Sequence, residues 1–200
     1  MATVRGTAYE HACRHTLQHW LRMRVYRTGG ANDCGMDLCG WWSPQALQPP
    51  PAPAHHDWMR VIVQCKALAK PAGPSIVREL EGTLVRALWD KFQPRDEMLD
   101  PESVTPPEAP LVGVLAALSG FSKQAILQAR SSRIPMLLLH LTSPHDDFRD
   151  LHCAGFVWNE ALANGALRGR LDVGWVEHAP RGRSAPTSRV VLYHDGVAVA

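Results

Sequence analysis

The stretch from residue 111 to residue 141 constrains the fold most, because its pattern predicts strand, helix and strand in succession. Leu111 to Leu118 and Ile134 to Leu141 are apolar runs typical of buried strands. Between them, Ser122 to Arg130 predicts a short helix with Ser122 as its N-cap. Two strands joined in this way pair in parallel through a right-handed crossover. The chain is therefore predicted to be an α/β protein with a partly parallel sheet.

Two helices and three strands are predicted before this unit. The helices cover Thr7 to about Arg24 and Pro74 to Phe92, and the strands cover Met23 to Thr28, Asp37 to Trp42 and Val61 to Lys66. The order α-β-β-β-α-β-α-β indicates a central mixed sheet flanked by helices.

The periodicity of the second helix predicts which of its residues face the core. The predicted inward set is Ile76, Leu80, Leu84, Val85, Leu88 and Phe92. Ser75 is the expected N-cap, and Glu79 and Glu81 are expected on a solvated helix face, although either could orient Lys66 or a water.

A glycine-rich acidic turn leads into the second predicted strand. Gly35 can adopt a positive φ, which indicates that Asp37 begins the strand. The next strand ends at Gln64 and Lys66, which are two residues apart and so share a face. Carboxylate and carbonyl oxygens bind hard cations such as Mg²⁺, and a lysine offsets charge developing nearby. The pattern suits metal-assisted phosphodiester hydrolysis.

Two acidic residues each have two interpretations. Asp33 is the alternative to Asp37 as a metal ligand, but its place in the turn favours an Asx residue that stabilises the backbone. Glu10 follows Thr7 by three residues, which is the spacing of a capping box with Thr7 as N-cap. The other interpretation makes Glu10 a further metal ligand or a base that orients water.

Other metal sites are weakly indicated. His11, His15 and His19 recur every four residues, but without a carboxylate at matching spacing they more simply line a polar helix face. A zinc site formed by Cys34 and Cys39 with His55 and His56 would lack the paired CxxC spacing, so core or loop cysteines are favoured.

Composition limits the broad class of protein. The apolar fraction is 46%, the charged fraction is 20% and the net charge is +2, which are ordinary values for a globular chain and do not by themselves indicate a nucleic-acid binder. Five cysteines without framework spacing favour a reducing compartment. No run is long and apolar enough to predict a membrane span, and the residues before the first helix are too few for a transit peptide.

The linker and the C-terminal region carry the remaining predictions. Residues 43–57 are proline-rich and are expected to form an exposed surface loop. Phe156 to Ala163 is predicted as a helix, followed by strands near Leu171–Glu177 and Arg189–Tyr193. The region is also the most basic part of the chain, through Arg168, Arg170, Arg181, Arg183 and Arg189.

Asp33 to Asp37 and Gln64 to Lys66 also carry a family resemblance. In this order, a GGxxDxGxD-like motif followed by QxK resembles the PD-(D/E)xK nuclease superfamily, in its Mrr-like type IV restriction endonuclease branch. More narrowly, the chain resembles the fungal mitochondrial proteins described as required for respiratory growth. Supporting stretches are Gly6–Glu10, Val77–Gly82 and Gly120–Ala125, so the resemblance covers about residues 5–141.

The resemblance implies a fold, a site and a location. Residues 1–143 would form a restriction-endonuclease-like core, and residues 144–200 would be an extension packed on it or continuing it. Asp37, Gln64, Lys66 and Glu10 would be catalytic. Mg²⁺ or Mn²⁺ would be held by the side chains of Asp37, Gln64 and Glu10 and by the backbone carbonyl of Cys65.

The implied activity is hydrolysis of DNA in mitochondrial genome maintenance. RNA as substrate, and a homodimer or a protein partner, remain open. The alternative function is a catalytically silent nucleic-acid-binding or assembly module of the same fold. Mitochondrial relatives would carry a presequence that the first residues of this chain do not resemble, and the alternative location is intracellular and soluble.

Overall fold

The structure, a computed structural model, describes residues 2–28, 35–48, 57–95, 109–178 and 187–199. Its helices are α1 (Ala2–Trp20), α2 (Pro74–Trp89) and α3 (Lys123–Ser131). Its strands are β1 (Arg24–Arg27), β2 (Leu38–Trp42), β3 (Met59–Lys66), β4 (Leu111–Ala117), β5 (Met136–Thr142), β6 (His152–Trp158), β7 (Leu171–His178), β8 (Thr187–His194) and β9 (Val197–Ala198).

The centre of the fold is a six-stranded mixed sheet in the order β1-β2-β3-β4-β5-β6. Strands β1, β2 and β3 are antiparallel neighbours, β3, β4 and β5 are parallel, and β6 returns antiparallel to β5. The predicted mixed sheet flanked by helices is confirmed, and the elements up to β5 follow the predicted order. The parallel pairing of β4 and β5 through α3 is confirmed as well.

Helices cover both faces of this sheet. On one face, Tyr9, Cys13 and Leu17 of α1 share a buried cluster with Val61 and Val63 of β3. On the other face, the buried side chains of α2 and α3 share a second cluster with Ile62, Leu115 and Leu138. Because alternate residues of a strand point to opposite faces, Gln64 and Lys66 follow Ile62 towards α2, and Cys65 faces α1.

The predictions for the buried face and for the N-cap of α2 were partly wrong. Helix α2 ends at Trp89, and Val85 and Leu88 are 55% and 45% exposed, because the stripe that packs on the sheet is Val77, Leu80, Leu84 and Ala87. The N-cap of α2 is Gly73, and Ser75 lies inside the helix.

The region after β5 differs from the prediction in one element. Phe156 belongs to strand β6, which pairs with β5, and the helical segment is a short π-helix at Ala161–Ala166. Phe156 packs edge-on against Trp20 and Trp158, so an apolar cluster stabilises the extended chain here. The two later strands are confirmed as β7 and β8, which form a separate three-stranded sheet with β9.

Part of the proline-rich linker is buried, whereas the whole of it was predicted to be exposed. Pro44–Leu47 forms a 3₁₀ turn in which Pro44, Gln45 and Leu47 are buried. The side chain of Gln45 accepts a hydrogen bond from Ser43 and donates one to Asp57, which explains how a polar residue is buried there. Residues 49–56 lie outside the described residues.

The N-cap of α3 gives a test of the predicted local structure. Ser122 accepts a hydrogen bond from the backbone N–H of Ala125 at 3.2 Å, as predicted. We expect Ser122→Ala to lower the free energy of unfolding by about 1 kcal/mol, because one helix donor loses its partner. Urea denaturation measures the loss. Ser122→Asp, which keeps an accepting oxygen, should restore most of it, and equal losses in both variants would contradict a capping role.

Candidate functional site

The candidate site begins at the turn that precedes β2. Gly35 has a φ of +80°, which glycine adopts without strain. A Cβ at this position would lie 3.1 Å from Thr83 Oγ1 and 3.5 Å from Gln64 Nε2, so the turn also packs closely against α2 and β3. Gly35 thus places the next residues of the chain beside the end of β3.

Asp37 joins β2 to β3 through its backbone and its side chain. Its N–H donates to the carbonyl of Val63 at 3.0 Å, and its carboxylate Oδ2 accepts from the backbone N–H of Cys65 at 2.6 Å. Because β2 and β3 are antiparallel, the start of one lies next to the end of the other. The predicted acid is therefore held against the middle residue of Gln64-Cys65-Lys66.

Gln64 and Lys66 meet on the α2 face of β3, as their spacing predicted. Both contact one carboxylate oxygen, Oε1 of Glu79 in the second turn of α2. Gln64 Nε2 donates to it at 2.6 Å, and Lys66 Nζ donates at 3.0 Å. The contact makes Glu79 part of the site, whereas the preferred sequence interpretation left it on a solvated face.

The other end of the Gln64 amide has no partner within the described part of the chain. The residue is 1% exposed, and its Oε1 atom is buried without a hydrogen bond. An unpaired buried acceptor costs free energy, and it is unusual in a folded protein. A hard cation takes neutral oxygen ligands of this kind beside a carboxylate.

Glu10 does not cap a helix. Helix α1 starts at Ala2, so Thr7 is an interior residue and the capping-box interpretation was wrong. The Glu10 carboxylate instead accepts from Arg27 Nε at 2.7 Å, in a partly buried ion pair. Helix α1 packs on the sheet face opposite α2, so Glu10 approaches the site from the other side.

The surroundings of Cys65, including nearby charges, shift the pKa of its thiol. Its pKa is raised well above the usual value, first by a hydrogen bond with Cys13, then by burial, and also by the negative charges of Asp37 and Glu10. Both carboxylates are thus close enough to act on the same group. Burial and these charges disfavour the thiolate form of Cys65.

The alternative metal sites gain no support. Among the described residues, no group of three His, Cys, Asp or Glu side chains is arranged to hold a metal ion. The rings of His15 and His19 stack 3.9 Å apart on α1, and Cys39 is buried in β2. Asp33, Cys34, His55 and His56 lie outside the described residues.

Two further lysines lie at the same end of the parallel strands as Lys66. Lys70 is exposed in the loop after β3, and Lys123 is exposed at the first position of α3. The loops that carry them are joined, since Ala72 N–H donates to Gly120 and Ser122 N–H donates to Ala72. In the C-terminal region, by contrast, Arg168 and Arg170 pair with Asp57 and Asp195, and Arg181 and Arg183 lie outside the described residues.

These features define a mixed α/β protein whose carboxylate, amide and lysine groups converge at the end of a strand. The chain belongs to the family of Required for respiratory growth protein 7, whose matches cover residues 1–57 and 45–171. It is also 30% identical over 162 residues to the uncharacterized mitochondrial protein C824.03c of Schizosaccharomyces pombe. That match covers 80% of this chain and 53% of the relative, so the chain spans about half of the relative's length.

The predicted membership of the family described as required for respiratory growth is confirmed by the family match, and the predicted mitochondrial location is confirmed by the two matches. No solved structure matches the chain. Within the described ranges, no helix has the length and apolar character needed to cross a membrane.

Proposed function

We propose that this chain is a metal-dependent nuclease domain that hydrolyses phosphodiester bonds of DNA in mitochondria. The observation that carries the proposal is the pair of oxygens near the end of β3. Asp37 is fixed against the backbone of Cys65, and Gln64 presents a buried oxygen that has no hydrogen-bond partner among the described residues. A restriction-endonuclease-like core is part of the proposal, and the order of helices and strands up to β5 supports it.

The ligands in this proposal are all oxygens. They are the carboxylate of Asp37, Oε1 of Gln64 and the backbone carbonyl of Cys65, with Glu10 as a further acid from α1. Such a set fits Mg²⁺ or Mn²⁺ better than zinc, which prefers cysteine and histidine. When bound, the cation would polarise a phosphoryl oxygen and lower the pKa of a water.

Lys66 supplies the positive charge of the site. The Lys66 side chain lies on the same face as Gln64 and is 24% exposed, so it is open to a phosphate in solvent. In the proposed reaction it orients the attacking water and stabilises the charge that develops on the phosphoryl oxygens. Lys70 and Lys123 extend the positive charge along the same edge and suit contacts to neighbouring phosphates.

The test is cleavage of plasmid and single-stranded DNA with Mg²⁺ or Mn²⁺, with the wild type beside Lys66→Ala. We expect the wild type to nick DNA and EDTA to abolish the nicking. The Lys66→Ala variant should nick DNA about a hundredfold more slowly. The control is Lys91→Ala, which removes an exposed lysine just beyond the opposite end of α2. It should keep the wild-type rate.

The alternative function gives a different result in the same assay. A catalytically silent binding module would bind DNA without cutting it, and Mn²⁺ would not raise its melting temperature. The ion pair between Glu10 and Arg27 favours this alternative, because it already pairs the carboxylate of one proposed metal ligand with a positive charge. Equal cleavage by wild type and Lys66→Ala would remove the lysine from its proposed role.

A further inference from the structure

Glu79 contacts the candidate site in a way that neither its sequence position nor the QxK pattern explains. A single oxygen of its carboxylate accepts hydrogen bonds from Gln64 Nε2 and from Lys66 Nζ. The lysine contact is exposed, with Glu79 51% and Lys66 24% accessible, and exposed ion pairs contribute little to stability. The ion pair with Lys66 therefore contributes little to holding α2 on the sheet.

The chemistry of an amide side chain gives Glu79 a different role. Glutamine carries an accepting oxygen at one end and a donating nitrogen at the other, and a flip of the group exchanges them. An ionised carboxylate only accepts, so Glu79 can pair with the nitrogen end of Gln64 and not with its oxygen end. Holding Nε2 therefore directs Oε1 to the opposite side, where it lies buried and unpartnered among the described residues.

We propose that Glu79 is a positioning residue that fixes the Gln64 amide with its oxygen turned towards the cation and holds the Lys66 ammonium beside it. The inference rests on the proposed function and names a residue that this function does not otherwise require. A glutamine that could flip would present its NH₂ group to the cation for part of the time. With Glu79 in place, the neutral amide acts as a fixed oxygen ligand.

An orienting role for Glu79 differs in its consequences from that of a simple source of negative charge. If Glu79 acted only through its charge, or only by supporting the fold, its removal would weaken cation binding whichever residue stood at position 64. If it orients the amide, the effect depends on that residue. A glutamate at position 64 has two equivalent oxygens and needs no orientation, and it would also be repelled by Glu79.

The experiment is a double-mutant cycle on Mn²⁺ affinity, measured from the electron paramagnetic resonance signal of free Mn²⁺. The variants are Glu79→Gln, Gln64→Glu and the double variant. We expect Glu79→Gln alone to weaken Mn²⁺ binding by about tenfold to a hundredfold, as for other residues that orient a ligand. In the Gln64→Glu background the same change should leave the affinity equal or raise it.

The matched control is Glu81→Gln, two residues along α2. Glu81 accepts from Gln128 Nε2 at 3.0 Å and contacts neither Gln64 nor Lys66 through a described hydrogen bond, so its loss should not change Mn²⁺ affinity. Melting temperatures of all variants separate binding from folding.

Two results would overturn the inference while leaving the proposed function in place. One is unchanged Mn²⁺ affinity in Glu79→Gln, and the other is an equal loss of affinity in both backgrounds. Failure of the wild type to bind Mn²⁺ would instead overturn the proposed function and this inference together.

Discussion

Asp37→Asn is expected to lower metal-dependent DNA cleavage by about a thousandfold, which is the largest change in activity that the site predicts. Asparagine has nearly the same shape as aspartate, and its side-chain oxygen can still accept from the N–H of Cys65. The local backbone should therefore survive. What disappears is the negative charge that lies against Cys65, and with it the strongest proposed attraction for a divalent cation.

Thermal unfolding with and without Mn²⁺ gives a second measurement on Asp37→Asn. A ligand that binds only the folded state raises stability according to its concentration relative to its Kd. The wild type should be stabilised by Mn²⁺ and the variant should not, while both melt alike in EDTA. The control is Asp90→Asn, which removes an exposed acid paired with Arg86 at the end of α2. Wild-type cleavage by Asp37→Asn would exclude Asp37 as a ligand.

Much of the fold follows from local pattern in the sequence. Strands β3, β4 and β5 each contain a run of consecutive apolar residues, and such runs predict strands that are buried on both faces. Ser122 predicted a helix start through capping chemistry that involves only neighbouring residues. The pairing of Gln64 with Lys66 on one face also needed only the two-residue period of a strand.

The errors arise where contacts distant in sequence decide the outcome. Glu10 satisfied a capping pattern, but its partner is Arg27, seventeen residues away on another element. Phe156 has an apolar pattern that suits a helix or a strand, and pairing with β5 decides in favour of the strand. Glu79 comes into contact with Lys66 only because α2 folds back along the strand that precedes it. The period of a single element does not contain that information.

A polar residue outside the candidate site carries the largest expected effect on stability. Asn159 is 2% exposed and lies between β6 and the π-helical segment. Its Nδ2, which carries two hydrogens, lies within hydrogen-bond distance of the carbonyls of Ala129, Ser132 and Ile134, and its Oδ1 accepts from the N–H groups of Met136 and Leu162. One side chain thus pairs buried or partly buried backbone groups at the end of α3, in the following loop, at the start of β5 and in the π-helix.

Asn159→Ala is expected to lower the free energy of unfolding by about 3–5 kcal/mol, because it leaves several of these buried groups unpaired. The measurement is the midpoint of urea denaturation, which should fall while the slope of the unfolding free energy against urea concentration stays unchanged. Asn159→Asp should not rescue the loss, since a carboxylate cannot donate to any of the three carbonyls. Asn164→Ala removes an exposed asparagine from the same π-helical segment and should cost less than about 0.5 kcal/mol. A loss below about 1 kcal/mol in Asn159→Ala would mean that these backbone groups find other hydrogen-bond partners, and it would contradict the stabilising role of the Asn159 side chain.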